Sequence, residues 1–299
     1  MPEDAVHPDL ATVAADFIAY LAGVRRYSPH TLRAYGVDVR EFCRGFALRH
    51  GRPATTADLS RQELRAECAR VFGRLRASSL ARRLSALRTL GDFIILRGLA
   101  RENQARWMRL PKVGPRLAEV LTEVQAAALC EVTSGRHTVR NQALVEVLYG
   151  AGLRVSECLQ LDLADLIWEA DNVLVRVLGK GQRERQVPAG RAAAAALRLY
   201  LSERGPAGGA VFVSRHGRLR DRGVRAMLRT RAAAAGIGPA VWPHLLRHSC
   251  ATHMLRRGCD LRIIMDQLGH RSLRSTQGYL HLDLGDLIRI YRRAHPRAA

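Results

Sequence analysis

From Asp9 to Leu110, apolar residues return at helical spacing with polar positions between them, which predicts an all-helical first region. Ser28 and Pro29 suit the cap and first turn of a helix reading SPHTLRAYGVDVREF. A further helix from about Ser79 to Arg97 buries Leu80, Leu84, Leu87 and Phe93 and leaves Arg82, Arg83 and Arg88 on another face, available to phosphates. The stretch Leu110 to Leu121, LPKVGPRLAEVL, interrupts the pattern with two prolines and a glycine, as a linker does. This gives an N-terminal helical domain over 1–110, a linker over 111–121 and a C-terminal domain over 122–299.

Beyond the linker, helices resume at Glu123. Two β-rich runs, NVLVRVLG and ERQVPAG, flank the turn GKGQ as a hairpin, and AVFVS at 210–214 is a candidate third strand. Helical patterns then continue to the end. The last segment, LDLGDLIRIYRRAHPRAA, is amphipathic through Leu284, Leu287, Ile288 and Tyr291, and one reading is a helix that closes its own domain. The fold class is mainly α with a small β-sheet: an N-terminal helical bundle and a C-terminal α+β domain.

With 299 residues, 47% of them hydrophobic, the chain can bury two cores of ordinary size. Its 48 basic and 27 acidic residues leave a net charge of +21, which favours polyanions and makes nucleic acid the leading partner class. Arginine drift in a GC-rich genome is the alternative source of the charge. Residues 1–110 carry 19 basic and 11 acidic side chains and the remainder 29 and 16, so both halves are basic. That distribution suits a two-domain clamp on a duplex better than a basic tail. The six cysteines form no CxxC pair and the N-terminus has no signal-like apolar segment, which points to a reducing cytoplasm. No apolar run approaches the roughly 18 residues of a membrane span, and Cys250 and Cys259 are expected to pack in the core.

Four segments carry candidate chemistry. In WPHLLRHSCATHMLRRG, Pro243 starts a helix that ends near Gly258, so His244 and Arg247 at i and i+3 share a face and can address one phosphate. His248 and His253 suggest a metal site, but Arg247 among them repels a cation and the HExxH glutamate is missing, so no metal is expected. DLRIIMDQLGH runs from the cap residue Asp260 to Gly269, which leaves His270 at a helix end, with Tyr279 nine residues later. In YGAGLRVSECLQL, Arg154 follows a glycine turn and precedes a helix whose first turn holds Ser156 and Glu157. Arginine there suits forked contacts to phosphate oxygens. The chain has only two lysines, Lys112 and Lys180, against 46 arginines. A lysine kept on the hairpin turn marks a place that needs a proton able to leave.

Taken in order, GLRVSE, GKGQRER, HLLRH, LGH and the tyrosine of STQGYLH resemble the motifs of the tyrosine recombinases of the phage integrase family. SPHTLRAY, ARRLSALR and AHPRA extend the resemblance over nearly the whole chain, toward the bacterial Xer recombinases, XerC and XerD. Gln104 after Asn103, and Ala118, stand where the family commonly has proline. The resemblance implies that Tyr279 attacks a scissile phosphate to form a 3′-phosphotyrosyl link. It further implies that Arg154, Arg247 and His270 stabilise the transition state, that Lys180 protonates the leaving 5′-oxygen and that His244 assists at the tyrosine. Neither metal, cofactor nor ATP is implied, and no GxxxxGK[ST] loop is present. The implied partners are duplex DNA with a specific site, a tetramer formed with itself or a second Xer recombinase, and the DNA translocase FtsK. The family's C-terminal tail docks on a neighbouring protomer, and the family's cellular task is resolution of chromosome dimers. Competing readings are an integrase of a phage or mobile element, disfavoured by the roughly ten residues before the first helix, a non-catalytic architectural DNA-binding protein, and a metal-dependent nuclease, for which no carboxylate cluster is evident.

Overall fold

The structure, a computed structural model, describes residues 7–111, 119–179, 184–205, 208–238, 241–269 and 284–298. The chain divides into two compact units between residues 116 and 117. Among the described residues, no helix is long and apolar enough to cross a membrane.

The first unit is built from α1 (Leu10–Gly23), α2 (Pro29–His50), α3 (Arg61–Val71) and α4 (Ala77–Leu96), followed by a short 3-10 turn at Gln104–Trp107. As expected, Ser28 caps α2 by accepting from the Thr31 amide, with Pro29 in the first turn. Phe17, Phe42, Phe46, Leu64, Leu87 and Leu90 form its core. Gln104, at one of the family's proline positions, has a use of its own: its side chain accepts from the Arg61 amide at the start of α3, at 2.8 Å.

The expected free arginine face of α4 is corrected by the packing. Arg83 is buried and donates to the buried Glu67 at 2.6 Å. Arg88 is spent on the carbonyls of Ala105 and Met108. Arg82 stays partly exposed but pairs with the buried Asp38. Asp38 and Glu67 lie between helices where a lone carboxylate would be costly, so the arginines are drawn inward to neutralise them.

The second unit comprises α5 (Glu123–Glu131), α6 (Thr138–Gly150), α7 (Val155–Gln160), β1 (Leu166–Glu169), β2 (Asn172–Leu178), β3 (Glu184–Pro188), α8 (Gly190–Arg204), β4 (Val213–Ser214), β5 (Gly217–Arg218), α9 (Asp221–Ala234), α10 (Pro243–Arg256), α11 (Leu261–Leu268) and α12 (Leu284–Ala294). Leu121, at the far end of the expected linker, is buried here and its amide donates to Ser249. From Ala143 to Gly150 every residue of α6 is buried, which makes this helix the axis of the unit. The expected hairpin is present as β2 and β3, antiparallel, with Leu178 opposite Glu184. The third strand of its sheet, however, is β1, paired with β2 from Leu166 to Glu169. Only Val213 and Ser214 of the AVFVS run form a strand, and they pair with β5 in a separate sheet. Val211 and Phe212 are buried, so the apolar character of that run comes from core packing rather than from a place in the larger sheet.

Candidate active site

The site begins where α6 runs out. Gly152 has φ +60, and a Cβ there would lie 2.9 Å from Leu268 Cδ2 and 3.1 Å from Cys250 Sγ, so glycine is required both by backbone conformation and by space. The turn delivers Arg154 to the cap of α7. Glu157, in the first turn of α7, accepts from the Arg154 amide at 2.9 Å and from its guanidinium at 2.8 Å. The other arm of Arg154 reaches the carbonyl of Gly269 at 3.4 Å.

Arg247 comes to the same place from α10, where Pro243 occupies the first turn. It is 5% exposed and donates to the carbonyl of Gly152 at 2.7 Å and to that of Leu268. Burial, then the nearby positive charge of Arg154, lower its pKa to about 10, and it remains a cation at neutral pH. His244, one turn earlier and exposed, is pushed below the ordinary histidine value by partial desolvation and by Arg247 and Arg154. A neutral imidazole at its position can accept a proton.

Two residues of this cluster escape a sequence reading. Glu157 reads only as a helix-start carboxylate, yet it is the buried anion that holds the arginines together. Burial alone would raise its pKa, but hydrogen bonds from Arg185 and from the Arg154 amide outweigh that and keep it lowered. Arg185, on β3, donates to both Glu157 oxygens at 3.3 and 3.0 Å and to the carbonyl of Gln267 at 3.0 Å. Its only sequence signal is a place in GKGQRER, among many other arginines.

Lys180, His270 and Tyr279 lie outside the described residues. The elements that lead to them are in view: β2 ends at Leu178, α11 ends at Leu268, and Gly269 caps it in the left-handed region, as expected. Asp260 caps the other end of α11 by accepting from the Arg262 amide. His253 is buried with both ring nitrogens engaged, Nδ1 with the Tyr149 hydroxyl and Nε2 with the Leu121 carbonyl, each at 2.7 Å. Cys250 and Cys259 are buried, and burial pushes the Cys250 thiol up to about 12. The C-terminal segment folds back on its own unit: Tyr291 is buried and its hydroxyl donates to the Gly150 carbonyl at 3.2 Å, while Arg297 pairs with the buried Glu146.

Two arginines from separate helix ends meet beside Glu157 on a mainly helical two-unit chain, and comparison with known proteins gives the class. The model for the phage integrase family matches residues 119–285, and that for the phage integrase N-terminal SAM-like domain matches residues 14–98. The tyrosine recombinase XerC of Chromobacterium violaceum is 40% identical over 288 residues, covering 94% of each chain. That of Pelobacter propionicus is 37% identical over 287 residues with the same coverage. Among solved structures, the XerH site-specific recombinase bound to its difH substrate aligns with TM-score 0.68 at 20% identity, over 92% of this chain and 83% of that one. A lambda integrase dimer bound to a COC′ core site, residues 75–356, aligns with TM-score 0.70 at 17% identity, over 93% and 100%. The chain belongs to the phage integrase family, in its group of Xer tyrosine recombinases, enzymes that cleave DNA and transfer its strands.

Proposed function

We propose that the chain recombines DNA at one specific site through a covalent bond to Tyr279. The tyrosine oxygen attacks the scissile phosphorus, the bond to the 5′-oxygen breaks, and a 3′-phosphotyrosyl link conserves the phosphoester energy for rejoining. Arg154 and Arg247, with His270, stabilise the charge that builds on the phosphate oxygens. His244 takes the tyrosine proton and Lys180 supplies one to the leaving 5′-oxygen. Glu157 keeps Arg154 aimed.

What supports this reading most is the convergence of Arg154 and Arg247 on Glu157, bonded to the first and 3.9 Å from the second, and on the carbonyls of Gly152, Leu268 and Gly269, around the end of the helix that precedes His270 in the chain. Residues 1–110 and 122–299, joined by 111–121, would hold the duplex between two basic faces, in the cytoplasm. The substrate is a dif-like site, the working assembly a tetramer of this chain alone or with a second Xer recombinase, with FtsK as activator and chromosome-dimer resolution as the task.

Incubation with a nicked suicide duplex, followed by denaturing electrophoresis, tests the chemistry. A covalent protein–DNA band is expected from the natural chain and none from Tyr279→Phe, which binds DNA equally well. A band of normal intensity from the variant removes Tyr279 from the nucleophile's role.

A further inference from the structure

Three segments that end in candidate catalytic residues are tied together by one side chain that has no role so far. Arg185 stands on β3, five residues after Lys180. Its two terminal nitrogens grip Glu157 at the start of α7, next to Arg154, and its Nε holds the Gln267 carbonyl at the end of α11, just before His270. The side chain is 16% exposed, so the fork is held largely out of water. Its seat is built to fit: a Cβ on Gly269 would stand 3.0 Å from the Arg185 guanidinium, and Gly269 is in the left-handed region at φ +63.

We propose that Arg185 is a positioning residue: by fastening β3 to Glu157 and to the end of α11 it acts on the protonation of the leaving group that is assigned to Lys180, five residues earlier in the chain. The inference rests on the general-acid role given to Lys180 above. The geometry separates this role from simple support of Arg154. Glu157 is already fastened to Arg154 by two local bonds within one turn of α7, at 2.8 and 2.9 Å. Arg154 therefore has two bonds to its carboxylate that do not pass through β3. The hairpin, by contrast, reaches that carboxylate through Arg185, and a misplacement of about 1 Å in a reacting group is enough to cost on the order of a hundredfold in rate. A lysine at 185 would keep the charge but lose the planar fork that holds two segments at once.

The test is single-turnover cleavage of a nicked duplex bearing a binding site that the chain selects from a randomised pool. It is made with a normal scissile phosphate and with sulfur in place of the bridging 5′-oxygen, a leaving group that needs no acid. Arg185→Gln should cleave the oxygen substrate about a hundredfold more slowly than the natural chain and the sulfur substrate within about threefold. Arg185→Lys should show the same split, which guards against a fold defect in the glutamine variant. Lys180→Arg combined with Arg185→Gln should be no slower than the slower single variant, because both changes remove one function. Equal losses on the two substrates, or additive losses in the double variant, overturn the proposal. If Lys180→Arg recovers on sulfur and Arg185→Gln does not, Arg185 alone loses its role. If neither recovers, the acid assignment of Lys180 fails and the proposal with it.

Discussion

Arg247 on α10 donates to the carbonyl of Gly152, two residues before Arg154, so the second arginine of the pair braces the turn that presents the first. The bond spans 95 residues of sequence and makes the alignment of either guanidinium depend on the other's surroundings. Arg247 also closes the carbonyl end of α11 at Leu268. One buried cation thereby satisfies acceptors from two segments that would otherwise lose their partners.

Arg154→Ala and Arg247→Ala should each slow cleavage by about a hundred- to a thousandfold while DNA binding falls far less, as for the loss of one preorganised donor. They should differ in stability. Arg247→Ala leaves two buried carbonyls unpaired, each at a cost of about 1–3 kcal/mol, whereas Arg154 is partly exposed. Single-turnover kinetics with urea unfolding checks both points. Cleavage within about tenfold of normal would remove that arginine from transition-state stabilisation.

Gly152→Ala should destabilise the chain by about 1–3 kcal/mol, because it forces a left-handed backbone onto alanine and drives a methyl against Leu268 and Cys250. Thermal melting reports it. A Tm unchanged within a degree would mean that the turn relaxes freely.

His295 is buried between the rings of Tyr149 and Tyr291, at centroid distances of 4.9 and 5.0 Å, and burial drives its pKa down to about 3. The unfolded chain takes up this proton near the ordinary histidine value of about 6.5, and the folded chain refuses it until much lower pH. Its contribution to stability is complete above the unfolded pKa and is lost as pH falls from there toward the folded value. Between about pH 6 and 4 the natural chain should lose up to about 1.4 kcal/mol per pH unit more than His295→Leu. Denaturant titrations across that range measure the difference, and parallel profiles would show that His295 is protonated in the fold.

Affinity for duplex DNA should fall steeply with salt, with a log–log slope of about −0.9 for each phosphate neutralised. Fluorescence anisotropy at several ionic strengths gives that slope. A flat response would contradict a grip by two basic units.

Much of this molecule is local and therefore legible in the sequence. Ser28, Pro29, Asp260 and Gly269 act through bonds to residues a few positions away, so helix limits follow from the neighbours in the chain. The order of the motifs sufficed for the family, and the period-two runs around GKGQ sufficed for the hairpin. What the order of residues does not contain is where an arginine spends its charge. Arg82, Arg83 and Arg88 look alike in a helical pattern, yet Arg83 is consumed by Glu67 from another helix and Arg88 by carbonyls beyond the end of α4. Arg185 and Glu157 lie 28 residues apart, and only the packing of β3 against α7 makes them partners. The same holds for the strands: β1 joins the sheet through its pairing with β2, while Val211 and Phe212, more strand-like in composition, go to the core. Local propensity and capping act over one turn of chain, whereas the cost of burying a charge or an apolar ring is settled by whichever distant segment can meet it.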